Sequence, residues 1–300
     1  MKKFLALVLF ATMILALAVP VAAQNITLPV APKADIVLDG VRDDGYGDMF
    51  EVNSYRDGNG DGCTAKVWAA WNNTGVFYYL EVNDVTPNHD HNDTYQRDNV
   101  EFFIDWQSIA SGQPADSVSE ADNCWQIRVA SAPNEDGNHS SGSLGDDELE
   151  LGKHFVIKPL EGSDLSKGYI MEVWLPLSYT DGVSLAEGNK IFVDFQIADN
   201  QEDGGRSSQA FLNGMADDVD SQWSSAEAFQ GILPLGPAKA APEPDPVPDE
   251  PEPDEPGPVD VAPPPPAPNP APSTGDSAFI LIVFVAALAG AYVFTKRVRT

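Results

Sequence analysis

Sixteen of the 36 residues from 237 to 272 are proline, alternating with Ala, Asp, Glu and Val. Such a stretch builds no core. Few of its side chains are apolar, and each proline removes an N–H that a helix or a sheet ladder needs. It is expected to sample extended polyproline II, with a reach of roughly 110 Å at about 3.1 Å per residue. Its carboxylates repel one another and stiffen it further. The foldable part of the chain must therefore lie before it, in residues 25–236, about 210 residues and the length of one large β domain.

The two ends predict export. Lys2 and Lys3 precede an apolar run that reaches about Val19, and small residues at Val21 and Ala23 frame a cut after Ala23. That is the tripartite layout of a secretory leader, residues 1–23. After a linker that runs to residue 276, residues 278–294 (AFILIVFVAALAGAYVF) carry no charge, and Lys296, Arg297 and Arg299 follow at once. Seventeen helical residues span roughly 25 Å, close to the ~30 Å of a bilayer core. We read 277–295 as a transmembrane helix and 296–300 as a basic tail that stays cytoplasmic. The bulk of the chain is then expected outside, on the extracellular face of the membrane or in the cell wall. Just before the helix, Pro272-Ser273-Thr274-Gly275 resembles the sorting signal of sortase-attached wall proteins, with Ala271 where that signal usually has Leu. The resemblance implies a sortase partner and transpeptidation at Thr274; a plain membrane anchor is the alternative.

The formal charge of −29 argues against nucleic acid and anionic lipid surfaces as partners. It suits neutral ligands, cationic partners and divalent cations. Cys63 and Cys124 are the two cysteines, and in an exported chain a disulfide between them is the single intrachain pairing available.

Strand signals recur along 25–236. Residues 66–71 (KVWAAW) and 76–82 (VFYYLEV) flank an Asn-Asn-Thr-Gly turn and read as a hairpin. Residues 99–105 (NVEFFID) set Val100, Phe102 and Ile104 on one face against Glu101, Phe103 and Asp105. Residues 125–129, 169–175 and 191–197 alternate as well, and Gly/Asp/Asn/Ser loops separate the runs. No helical period appears. The fold class is all-β, an antiparallel, jelly-roll-like sandwich. Trp68, Trp71, Trp125 and Trp174 fall in strand patterns and are expected in the core.

Asp57, Asn59 and Asp61, with Gly62, make the first half of a calcium loop. The twelfth position of a full loop is Trp68, which does not ligate, so calcium there needs ligands from elsewhere. His89, Asp90, His91 and Asp93 form a second polar run that suits a transition metal. No serine elbow, His-Glu-x-x-His or catalytic cysteine setting stands out. With 46 acidic residues, no carboxylate pair is singled out as a glycosidase apparatus.

The order of these segments resembles the family 9 carbohydrate-binding modules. Residues 36–40 (IVLDG) with 43–46 (DDGY) look like their opening, 97–105 (RDNVEFFID) like their most distinctive strand, and 168–176 and 195–199 like the next two. Residues 221–223 (SQW) and 229–235 (FQGILPL) look like their ending. The match runs in order over 31–236. It implies a non-catalytic β-sandwich that grips the end of a glucan or xylan chain between two aromatic faces, with structural calcium, in support of hydrolysis by other proteins. Residue by residue, the walls fall at Tyr95, where the family usually has Trp, and at Trp223. The polar set falls at Glu101, Arg128, Gln196, Arg206 and Asp220.

Physical chemistry supports such a set: sugars present apolar C–H faces, which rings match, and hydroxyl rims, which charged groups bond at about 1.5–3 kcal/mol each. Tyr95 and Trp223 sit among polar, loop-forming neighbours, where an aromatic is exposed rather than packed. Two other readings stay open. Related sandwiches bind haem, for which Met49, Met171, Met215 and His154 are available. The domain is otherwise an adhesin or structural module without sugar affinity.

Overall fold

Strict alternation produces strands wherever the run is long. The computed structural model describes residues 25–55, 63–84, 91, 93–133, 137–143, 149–201, 205–212 and 221–240. Among these the strands are β1 (Ile26–Thr27), β2 (Phe50–Val52), β3 (Ser54–Tyr55), β4 (Thr64–Asn72), β5 (Gly75–Asn83), β6 (Asn99–Asp105) and β7 (Cys124–Ala130). They continue with β8 (Ser140–Gly142), β9 (Phe155–Pro159), β10 (Tyr169–Pro176), β11 (Lys190–Asp199), β12 (Ser208–Phe211) and β13 (Gly231–Pro234). One helical turn, α1 (Ser108–Ser111), and a few 3-10 turns complete them.

The strands form two sheets. One has the order β2-β4-β5-β10-β9, and the other runs β1-β13-β11-β6-β7-β8, with β12 beside β11 and β3 beside β12. The predicted hairpin forms as β4 and β5, Asn72 opposite Gly75, with Asn73 and Thr74 as the turn. Among the described strands the pairing is antiparallel except that β1 runs parallel to β13, Ile26 opposite Gly231. Between the sheets, Val100, Phe102 and Ile104 of β6 meet Tyr78 and Leu80 of β5 and Phe195 of β11. Phe102, Tyr78 and Phe195 pack ring to ring at 5.1–5.9 Å.

Trp71 and Trp125 are buried in this core. Trp68 and Trp174 are covered differently. They lie on the outer face of the five-stranded sheet, under Ala34, Ile36, Leu38 and Tyr46 of the N-terminal segment. Glu172 fixes that segment by accepting the Asp39 and Gly40 N–H groups (2.9 and 2.8 Å) and the Tyr46 hydroxyl (2.8 Å).

The cysteine pairing does not form. Both thiols are free and buried. Cys63 Sγ lies 3.2 Å from Asp199 Oδ1, at the end of β11 where Ala198 faces Asn99. Cys124 faces Asp105 at the opposite end of β6. Six strand residues separate the two levels, about 20 Å, against the ~7 Å limit between the Cα atoms of a disulfide.

Several expectations fall outside the described residues: the leader 1–23, Asp57, Asn59 and Asp61, His89 and Asp90, Met215, Asp220, Thr274, and the segments 277–295 and 296–300. Among the described residues, no helix is long and apolar enough to cross a membrane. All described residues belong to one compact unit that extends to Pro242.

Candidate functional site

The outward face of the eight-stranded sheet carries the polar half of the alternation. Register places Glu101 of β6 directly between Arg128 of β7 and Gln196 of β11. One step along, Phe103 lies between Gln126 and Asp194. β12 extends the same face with Gln209, opposite Ala198, and Phe211, opposite Gln196.

Glu101 is the hub of this face, with 1% of its surface exposed. Its Oε2 accepts from Gln126 Nε2 at 2.6 Å. Its Oε1 lies 3.3 Å from Arg128 Nε and 3.9 Å from Arg206 Nη1. The Arg128 Nε–H is off the line to that oxygen and makes no hydrogen bond. With its oxygen turned inward, the Gln209 amide accepts from Arg206 Nε and Nη2, each at 3.0 Å, and from Gln196 Nε2. Two cations thus share one carboxylate and an amide network.

Two turns supply the walls. Tyr95 belongs to the 3-10 turn Thr94–Gln96, just before β6. Asn99 Nδ2 donates to the Thr94 and Arg97 carbonyls at 2.9 and 2.8 Å. Asn200 Nδ2 donates to the Gln96 carbonyl at 2.9 Å, and the Gln96 side chain accepts the Arg206 N–H at 2.8 Å. The Arg128 guanidinium lies 5.9 Å from the Tyr95 ring centre. Tyr95 stays 41% exposed.

Trp223 sits on a turn closed by Ser224 N–H to the Ser221 carbonyl at 2.9 Å. Below it, Phe229 packs on Phe103 at 5.7 Å, within a small cluster that includes Ala115, Cys124 and Ala226. That cluster holds the C-terminal loop over the sheet. Trp223 is nevertheless 58% exposed, an expense of apolar surface that packing alone does not explain.

The result is a cleft of about 310 Å³ lined by Tyr95, Glu101, Phe103, Gln126, Arg128, Gln196, Arg206 and Trp223. Its volume falls at the small end of ligand sites. Six of the seven sugar-site residues read from the sequence converge here, and Asp220 is outside the described residues. Reasoning from sequence missed Gln126, Phe103 and Gln209. Gln126 was legible, since it stands two residues from Arg128 and shares its face. Phe103 was the apolar oddity on a polar face, which marks the seat of a covering loop.

The haem reading finds no support among the described residues. Met171 is wholly buried in the inter-sheet core, and Met49 is a surface residue. His154 Nδ1 accepts the Glu150 N–H at 2.9 Å, and its Nε2 faces the Tyr179 hydroxyl at 3.5 Å.

Asp194, fully buried beneath the Trp223 turn, accepts the Phe195 and Gln230 N–H groups at 2.8 and 3.1 Å and is hydrogen-bonded by the Gln222 side chain. Burial outweighs these three donors and pushes its carboxyl up to about 7. A folded-state value above the unfolded one means that the native state holds the extra proton between about pH 4 and 7. This group's contribution to stability is therefore complete below about pH 4 and is lost as pH rises to about 7, at a slope of at most about 1.4 kcal/mol per pH unit. Asp194→Asn is expected to remove that component. Urea midpoints of both proteins from pH 4 to 8 test it, and parallel profiles would rule it out.

A sequence model of the family described as "Carbohydrate family 9 binding domain-like" matches residues 38–235. The chain belongs to this family. A family 9 carbohydrate-binding module from Caldicellulosiruptor kristjanssonii, solved in complex with cellotriose, superimposes with a TM-score of 0.54 at 19% identity. It covers 74% of this chain and 99% of its own. The same organism's module with glucose gives 0.54 and 19%, over 73% and 100%. At these identities the likeness establishes the family 9 sandwich fold. No curated protein matches the chain.

Proposed function

We propose that this protein is a non-catalytic carbohydrate-binding module that captures the end of a plant-type polysaccharide or oligosaccharide, glucan or xylan, at the cell surface. The observation that carries the reading is the convergence of two exposed aromatic walls, Tyr95 and Trp223, on the buried Glu101 and its partly exposed partners Arg128 and Arg206 in one small cleft. A pyranose ring has two apolar faces and a hydroxyl rim, and this cleft offers two rings and a ring of charged donors and acceptors. Its small size favours a chain end over the middle of a polymer. The relatives in complex with cellotriose and glucose support the ligand class. The leader, the proline-rich stalk and the apolar 277–295 segment support export and C-terminal anchoring at the membrane or, through Thr274, in the wall.

Calorimetric titration of the purified protein with cellobiose, cellotriose, xylobiose and other oligosaccharides tests the reading. Binding at one site per chain, with a dissociation constant in the micromolar to millimolar range, is expected. A folded protein that gives no heat with any sugar would leave adhesion or scaffolding as the function.

A further inference from the structure

At the end of the sandwich behind the Tyr95 turn, three side chains from distant parts of the chain meet. Cys63 immediately precedes β4, Asp84 immediately follows β5, and Asp199 ends β11. Each is 1% exposed, and one ligand atom from each lies within 4.8 Å of the others. A tetrahedral zinc ion, with Zn–S of about 2.3 Å and Zn–O of about 2.0–2.2 Å, holds its ligands roughly 3.5 Å apart. Only a small contraction separates this group from that geometry.

A second observation points the same way. The Tyr169 hydroxyl is wholly buried and makes no hydrogen bond. It lies within the electrostatic reach of Cys63, Asp84, Asp98 and Asp199. Its position is fixed, because Gly168 abuts the backbone of Val82 and Asp84, and a Cβ there would sit 2.2 Å from the Val82 carbonyl oxygen. A buried, unpartnered phenol in the electrostatic neighbourhood of this thiol and these carboxylates is a candidate fourth donor, direct or through water.

We propose that Cys63, Asp84 and Asp199 form a buried structural site for a thiolate-accepting divalent cation, zinc in the first instance, that joins the two sheets. Calcium, which the family resemblance implies, does not fit this donor set. It takes six to eight oxygen ligands, whereas a thiolate selects softer ions. The ion would tie β4 and β5 of one sheet to β11 of the other. It would also stand beside Asp98, whose Oδ1 accepts the Asn200 N–H at 2.7 Å. Asn200 in turn holds the turn that carries Tyr95.

The test uses full-length protein stripped by a chelator and titrated with Co²⁺ alone. One equivalent is expected to produce a thiolate-to-cobalt charge-transfer band, which Zn²⁺ then abolishes by displacement. A hundredfold excess of Zn²⁺ over its dissociation constant is expected to raise the melting temperature by about 5–10 °C. Cys63→Ser is expected to lose the band and Cys124→Ser to keep it. The wild-type spectrum stands by itself should a Cys63→Ser chain fail to fold. No band in the wild type, a band retained in folded Cys63→Ser, or stabilisation by Ca²⁺ without stabilisation by Zn²⁺ overturns the proposal.

Discussion

Trp223→Ala is expected to weaken glycan binding by about 100-fold and to shift the melting temperature by no more than about 2 °C. The two effects separate because the indole is 58% exposed and rests on a turn closed by the Ser224 and Ser225 N–H groups on the Ser221 carbonyl. One ring face covering a sugar removes roughly 100 Å² of apolar surface from water. At about 25 cal/mol per Å² that is ~2.5 kcal/mol, close to two decades in affinity. Trp223→Phe keeps a flat face of smaller area and should fall between the two. Calorimetry with the tightest sugar decides the matter. Unchanged affinity in the alanine variant would remove Trp223 from the site, and an equal loss of fold would make it a packing residue instead.

Glu101→Ala is expected to abolish binding and to cost the fold about 2–3 kcal/mol. The carboxylate is buried between Arg128 and Arg206 and also takes the Gln126 amide hydrogen. Without it two guanidinium groups face each other across a methyl group. Breaking one partner out of a buried pair costs about 3–5 kcal/mol. Here both arginine side chains keep between a fifth and a quarter of their surface in water, which screens part of that cost. Glu101→Gln keeps the shape and an acceptor and loses the charge, so its effect on stability should be the smaller of the two. Urea unfolding with an unchanged m-value, read beside sugar titration, separates the fold from the site. A Glu101→Ala protein as stable as the parent would show that the arginines need no counter-charge.

The long strands were legible because a period of two needs several residues to show itself. β4, β5, β6, β7, β10 and β11 are seven to ten residues long, and all six were read from the sequence, the last four from alternation and β4 and β5 as runs flanking a turn. β1, β2, β3 and β8 are two or three residues long and present no period, so their existence is decided by partners already in place. Trp68 and Trp174 read as core, yet they lie outside the inter-sheet core, Trp174 only partly buried, because alternation does not say which cover buries a face. Here that cover is the segment around Tyr46. The cysteine pairing failed for a related reason. Whether two thiols meet depends on which end of the sheet each reaches, a property of topology that spacing along the chain does not encode. In the site, the walls Tyr95 and Trp223 were readable as aromatics in polar loops. Arg206, Gln196 and Arg128 gain meaning only when β6, β7 and β11 lie side by side.

The parallel pairing of the first and last strands bears on how the domain takes a pull. Near residue 236 the chain is held by Gly236 N–H to Ala31 O (2.8 Å), by Ala31 N–H to Pro234 O (2.9 Å) and by Trp71 Nε1–H to Gly236 O (2.9 Å). β13 lies antiparallel to β11, the strand that also contributes Gln196 to the cleft. Tension applied beyond Gly236, against a ligand gripped in the cleft, runs along these strands. The bonds are then sheared together rather than unzipped one after another, so the end of the domain where a tether would tug is the one whose hydrogen bonds share the force.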